Sequence, residues 1–177
     1  MPRFVPITRE EFRHRVDEYN WKRQVNAVHV HHTFRPNHGQ WKGEESMNGM
    51  YHFHVIERGW ADIAQHLTIA PDGNLWVGRD WNRPPASSVG ANGSSSSGPF
   101  MFEMVGDFDQ GKDILKDEQL RSVLDVTAYL LWTWDLSTKK GIRFHREFTD
   151  KTCPGSAIDK QHFLALVDEY RRDNMLE

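Results

Sequence analysis

The chain has one cysteine in 177 residues, Cys153, so an internal disulfide is excluded. Long hydrophobic runs are missing too: Tyr129-Leu130-Leu131-Trp132 is the longest candidate, far short of the roughly 20 apolar residues of a membrane span. Charge of one sign is not in excess. Lys and Arg total 22 against 25 Asp and Glu, and a net charge of -3 gives no electrostatic case for a nucleic-acid partner. The N-terminus, Met1-Pro2-Arg3-Phe4-Val5-Pro6-Ile7, lacks the basic stretch and the following apolar run, about 7–15 residues long, of a secretory signal. No internal repeat is visible. The expectation is a single domain over residues 1–177, monomeric, made in the cytoplasm without a signal peptide, and with no membrane partner.

Histidine and tryptophan are plentiful instead, ten and seven residues respectively. Imidazoles suit metal binding and acid/base work, and tryptophans suit a lined cleft, although most tryptophans belong to cores. The chemistry concentrates in Phe144-His145-Arg146-Glu147-Phe148-Thr149-Asp150-Lys151-Thr152-Cys153-Pro154-Gly155. A histidine stands eight residues before the single cysteine and a lysine two before it. Soft sulfur, imidazole and a nearby cation suggest a zinc centre, for which a catalytic site uses three protein ligands and keeps a fourth position open. Two ligands are visible here, and a third must come from elsewhere. The alternative is a buried cysteine packed as a small hydrophobe.

Thr8 and Glu11 form a capping-box pattern, and Phe12, Val16 and Tyr19 follow at helical spacing. Val25 to Thr33 is β-branched and alternating, with Val28 and Val30 on one strand face and His29 and His31 on the other. A histidine at the end of such a strand is well placed to be the missing ligand. Ser46 is the expected cap of a helix whose buried stripe holds Met47, Met50, Tyr51, His54 and Val55, with Gly59 as its stop. Ala64 to Ala70 and Leu75 to Arg79 read as a hairpin around Pro71-Asp72-Gly73-Asn74. Asp117 is the expected cap of a long helix, Ile142-Arg143-Phe144 a short strand delivering His145, and 159–172 a final helix. Strands alternating with helices predict an α/β fold, a mixed central β-sheet flanked by α-helices on both faces.

Residues 80–99 form the one long irregular stretch. A flexible linker is one reading, but candidate ligands lie on both sides of it, so a loop bordering a cleft is expected. Phe100-Met101-Phe102-Glu103-Met104-Val105-Gly106 then places one acid inside an apolar strand. A carboxylate there is costly without a partner, which makes Glu103 a catalytic candidate, against the alternative of a glutamate on a solvent-facing edge strand.

The ordered series Val30-His31-His32-Thr33, Gly59-Trp60-Ala61-Asp62-Ile63, His66-Leu67-Thr68-Ile69 with Pro71-Asp72-Gly73, Gly78-Arg79, Glu103-Met104-Val105-Gly106-Asp107-Phe108 and His145 to Gly155 resembles the zinc-dependent N-acetylmuramoyl-L-alanine amidases. That family includes bacteriophage amidase endolysins and peptidoglycan recognition proteins, and the resemblance covers about residues 28–155. It implies one Zn²⁺ per chain held by His31, His145 and Cys153, with His32 turned the other way. Lys151 matches a lysine placed over the reacting carbonyl, and Glu103 matches a catalytic glutamate of one branch. It also implies a peptidoglycan substrate, reached after holin-type release or lysis. One position departs: many members carry a catalytic tyrosine where this chain has Gln65. Gln65, Trp41, Trp81 and Asn92 are the candidate substrate contacts.

Other zinc chemistries fit less well. A nucleobase deaminase needs a Cys-x-x-Cys block and a zinc protease of the His-Glu-x-x-His type needs that motif, and neither is present. A cysteine hydrolase would need Cys153 as its nucleophile. The principal alternative is a muropeptide-recognition module that binds without cutting.

Overall fold

The computed structural model describes residues 1–175. Strand β1 (Pro6–Ile7) is too short to show a period in the sequence and was not expected. Helix α1 (Arg9–Glu18) begins as its sequence dictates. The Thr8 side chain accepts from the Glu11 backbone N–H, and the Glu11 carboxylate accepts from that of Thr8, leaving Phe12 and Val16 to be buried. Strand β2 (Gln24–His32) follows.

Helix α2 (Glu44–His52) starts from Gly43 rather than Ser46, whose hydroxyl instead accepts from the Lys42 backbone N–H. It then loosens into one π turn, Phe53–Glu57, so the expected helical stripe breaks after Tyr51 and His54 turns to another surface. Strands β3 (Leu67–Ile69) and β4 (Leu75–Val77) are shorter than expected, although the Gly78 N–H to His66 carbonyl and Arg79 N–H to Gln65 carbonyl bonds prolong the hairpin. Strand β5 (Ser97–Met104) begins inside the serine-glycine stretch.

Helix α3 (Asp117–Thr133) is preceded by Lys116 at the cap position, not Asp117. Asp117 sits at φ 52°, a left-handed conformation, whereas an N-cap side chain works from extended backbone. A short helix α4 (Thr138–Gly141) leads into β6 (Ile142–Phe144), and Asp159 caps α5 (Lys160–Asn174) by accepting from the His162 N–H. Among the described residues no helix is long and apolar enough to cross a membrane.

Among the described residues six strands form one mixed sheet in the order β1-β4-β3-β5-β2-β6. Strand β2 runs parallel to β5 and β6, β5 runs parallel to β3, and β4 is antiparallel to both of its neighbours. Because side chains alternate, Val28, Val30, Leu67, Ile69, Phe100, Phe102, Ile142 and Phe144 share one face, packed against α1, α3 and α5 in a single core. Helix α2 covers part of the opposite face, where Met47 and Met50 meet Ile63, Ala70 and Trp76. The expected α/β architecture with helices on both faces is the one observed. Each large side chain buried on the apolar face contributes about 1.5–3 kcal/mol relative to exposure, which makes the sheet a rigid platform for what its other face carries.

Candidate metal centre

The parallel strands place the chemistry in register. His31 on β2 lies opposite Glu103 on β5, Glu103 lies opposite Thr68 on β3, and Val30 lies opposite Phe144 on β6, so His145 leaves β6 beside His31. All of these stand at the carboxyl ends of the parallel strands, where open α/β sheets leave their crevices. Glu103 is therefore central rather than at an edge, and only 9% exposed.

Cys153 arrives by a loop with fixed ends. The Arg146 backbone N–H donates to the Cys153 carbonyl at 2.8 Å, and the Arg146 guanidinium donates to the carbonyls of Gly155 and Ile158. Gly155 has φ 128°, and a Cβ there would lie 2.4 Å from the Phe108 carbonyl oxygen, so only glycine lets the loop close. The His32 backbone N–H points at the Cys153 sulfur at 3.4 Å, while the His32 ring turns away and accepts from the Phe108 N–H.

One ligand atom from each of His31, His145 and Cys153 lies within 4.8 Å of the others, and the two imidazole rings are 4.3 Å apart. Tetrahedral zinc with these ligands needs donor atoms about 3.3–3.8 Å apart, within small side-chain adjustments of this arrangement. The electrostatics fit as well. Burial, with His145 next, holds His31 well below the usual histidine value, and burial also lowers His145, so both rings are neutral as ligation requires. Burial pushes the Cys153 thiol up to about 12, so without a cation it stays protonated; a bound metal is what would release its proton. Desolvation likewise raises Glu103 to about 8. The donor set, its neutrality and its spacing fit a zinc ion.

The centre floors a cleft of about 640 Å³. Lys151 and Glu103 border it, as do Phe53 and His54 of the π turn, Arg58 directly after that turn, and Trp60. The Arg58 guanidinium lies 5.1 Å from the Phe53 ring centre and 5.7 Å from that of Trp60. His54 was expected on the buried stripe; its Nδ1 accepts from the Ala64 N–H while its ring borders the cleft.

The four candidate substrate contacts lie elsewhere. Gln65 is fully buried, its amide donating to the Thr68 hydroxyl at 3.0 Å. Trp81 is a core residue, 2% exposed and packed among Phe12, Tyr19, Trp21 and Phe100. Trp41 packs edge-on against Trp76. Asn92 serves the loop itself, accepting from the Ser88 N–H. The residues that do border the cleft, Arg58, Phe53, Phe34 and Ser87, gave no period or motif of their own, because a π turn and an irregular loop have none to show. Trp60 and Thr33, which also border it, stood in recognised blocks.

The N-acetylmuramoyl-L-alanine amidase (Amidase_2) family matches residues 21–156. Peptidoglycan-recognition protein LB of Drosophila melanogaster is 26% identical over 133 residues, 74% of this chain and 55% of that protein. Human N-acetylmuramoyl-L-alanine amidase is 26% identical over 138 residues, 76% of this chain but 23% of that protein. The chain thus spans about half of the first relative and under a quarter of the second. In structure, the N-acetylmuramoyl-L-alanine amidase LysC of Clostridium intestinale URNW superposes with a TM-score of 0.67 at 21% identity, covering 85% of this chain and 94% of that one. A complex of the Drosophila LB protein with tracheal cytotoxin gives 0.65 at 24% identity, covering 78% and 79%. A match over most of the chain, on a fold shared with these structures, means that the chain belongs to the N-acetylmuramoyl-L-alanine amidase family.

Proposed function

We propose that this chain is a zinc-dependent amidase that hydrolyses the bond between the lactyl group of N-acetylmuramic acid and the L-alanine of the stem peptide in bacterial peptidoglycan. The observation that carries the reading is the convergence of two neutral imidazoles and one thiol within 4.8 Å on the floor of an open cleft that also holds a buried carboxyl. A structural zinc site would be closed by a fourth protein ligand.

His31, His145 and Cys153 would hold the ion. When bound, Zn²⁺ supplies Lewis acidity, polarising a carbonyl and acidifying water near neutral pH. Glu103 takes a proton from the attacking water and returns it to the departing alanine nitrogen. Its high proton affinity suits the return of the proton, and with a cation held by His31, His145 and Cys153 its carboxylate form would be favoured at neutral pH. Lys151 donates to the carbonyl oxygen as negative charge develops there; losing one such donor commonly costs about 10²–10³ in rate. Arg58, Phe53 and Trp60 form the wall against which the peptide or glycan arm of the substrate lies.

The rival reading is a recognition module. What favours it is that the relatives include proteins named for peptidoglycan recognition, and that Gln65 occupies the place of a catalytic tyrosine. End-group analysis of purified peptidoglycan separates the two. New alanine amino termini without new reducing sugars, abolished by chelation, are expected of the amidase. Retained wall binding and bound zinc with no new ends would make the protein a recognition module.

A further inference from the structure

The serine- and glycine-rich stretch at 80–99 has the composition of a flexible linker, yet it is tied down at every turn. Ser88 to Ala91 closes a β-turn, with the Ala91 N–H donating to the Ser88 carbonyl at 2.8 Å and Gly90 at φ 81° in the third position, as a type II turn demands. The Asn92 side-chain oxygen accepts from the Ser88 N–H at 3.0 Å, bracing the same turn from its far end.

Behind it lies Arg23, 1% exposed, whose guanidinium donates to three carbonyls of this segment: Ser94 at 2.8 Å, Pro99 at 2.7 Å and Asn92 at 3.1 Å. The fit is tight. A Cβ on Gly98 would lie 2.3 Å from the guanidinium, and one on Gly93 would lie 3.3 Å from it. A buried guanidinium engaged with main-chain carbonyls spends its donors on holding one loop conformation.

The product of this bracing is the position of one hydroxyl. Ser88 is 2% exposed although its neighbour Val89 is 95% exposed, and its Oγ stands 3.4 Å from Nε2 of His31. A neutral imidazole carries one proton, and a ring nitrogen can ligate a metal only if the proton is on the other one. An acceptor at Nε2 therefore selects the form whose Nδ1 lone pair is free.

We propose that Ser88 is a positioning residue for the metal centre: its hydroxyl accepts from Nε2–H of His31 and so presents Nδ1 to the metal, while Arg23 and Asn92 hold Ser88 in place. This rests on the zinc site proposed above but not on the bond that is cleaved. The loop is then a part of the metal site's outer framework, which accounts for a long glycine-rich segment that the fold fixes so firmly. Conserving the hydroxyl should matter more than conserving size, since outer partners of ligating histidines act through the hydrogen bond they accept.

The test has two independent readouts. In wild-type protein, zinc-loaded, ring ¹⁵N shifts should show His31 protonated at Nε2. In competition with a chromophoric chelator, Ser88→Ala should bind Zn²⁺ about 10–100-fold more weakly, as losses of outer hydrogen bonds to metal ligands typically do, and Ser88→Thr should restore most of that affinity. Affinity of Ser88→Ala within twofold of wild type, or a His31 ring protonated at Nδ1 in the zinc-loaded protein, overturns the proposal. If Ser88→Ala does not fold, the wild-type ring shifts decide alone. Absence of amidase activity leaves these readouts intact, whereas a wild-type protein that takes up no zinc overturns both this proposal and the metal site.

Discussion

The two faces of the sheet are built from the same strands and obey opposite rules. On one, the hydrocarbon side chains of Val28, Val30, Phe100, Phe102, Ile142 and Phe144 interlock with three helices. On the other, His29, His31, Thr68 and Glu103 are nearly as buried but polar, and their environment withholds charge from them instead of sharing it. Burning off solvent is stabilising for the first set and costly for the second. What the comparison teaches is that the apolar face supplies the rigidity and stability with which the polar face can hold neutral imidazoles and a protonated carboxyl ready for a cation.

Neighbouring residues of β5 put this division to its strongest test. Glu103→Gln keeps the shape of the polar face but removes its proton carrier, so turnover should fall about 10²–10⁴-fold, the usual worth of general acid/base catalysis. Zinc content and the melting behaviour of the zinc-loaded protein should be retained. Wild-type turnover in this variant would remove Glu103 from the mechanism. Phe102→Ala, one position away and fully buried, should do the reverse. It opens a cavity worth about 3–5 kcal/mol, read as a lower denaturation midpoint, while the rate per folded molecule stays near wild type. Equal damage to rate and stability in both variants would mean that the faces are not separable.

That separation was legible in the sequence wherever a period carried it. Val28 and Val30 against His29 and His31 announced both the core face and a candidate ligand. Glu103 betrayed itself as a lone charge in an apolar run, and His145 and Cys153 by their chemistry and spacing. The resemblance to the amidases joined these into one site that spacing alone had left incomplete. Elsewhere the signals were ambiguous. Ser46 is a good capping residue, but Gly43 reaches a backbone conformation of φ 61° that starts the helix earlier. Asp117 also resembles a cap, yet its own backbone is left-handed. Trp81 looked like a loop residue able to line a cleft. The aromatic cluster formed with Tyr19 and Trp21, about 60 residues distant in the chain, is a tertiary fact that no local pattern contains. Arg23 was invisible as an anchor for the same reason.

Titration sharpens the comparison further, and it should be followed without metal. Glu103, raised from 4.5 to about 8 by burial, is held protonated by the fold while the unfolded chain ionises it. Its contribution is fully present below pH 4.5 and is lost as pH rises toward 8, a change of several kcal/mol at most. His29, lowered to about 4, and His66, lowered to about 3, act with the opposite sign. Their contributions are present above pH 6.5 and are lost as pH falls through those values. Denaturant titrations of the chelated protein should therefore show a loss of stability between about pH 4.5 and 8 that Glu103→Gln removes, and below about pH 4.5 an acid limb that it leaves unchanged. The same loss in the variant would show that Glu103 is not held protonated.

The smallest effect is expected at Gln65, which belongs to the polar face by position but is sealed behind the cleft wall. Its amide nitrogen reaches the Thr68 hydroxyl and, at 3.8 Å, the Met50 sulfur, while its side-chain oxygen has no hydrogen-bond partner among the described residues. Gln65→Met nearly conserves volume and removes that stranded oxygen, but it also deprives the Thr68 hydroxyl of a donor. These terms oppose one another, each about 1–3 kcal/mol at most, so the net change in stability should stay within about 1 kcal/mol. KM for a soluble muropeptide should not move if Gln65 stays behind Thr68, because a residue that never meets the substrate cannot contribute to binding it. A severalfold rise in KM at unchanged stability would mean that the side chain swings into the cleft when substrate arrives. Gln65 would then belong with Glu103 and Lys151 as a residue of the reacting surface.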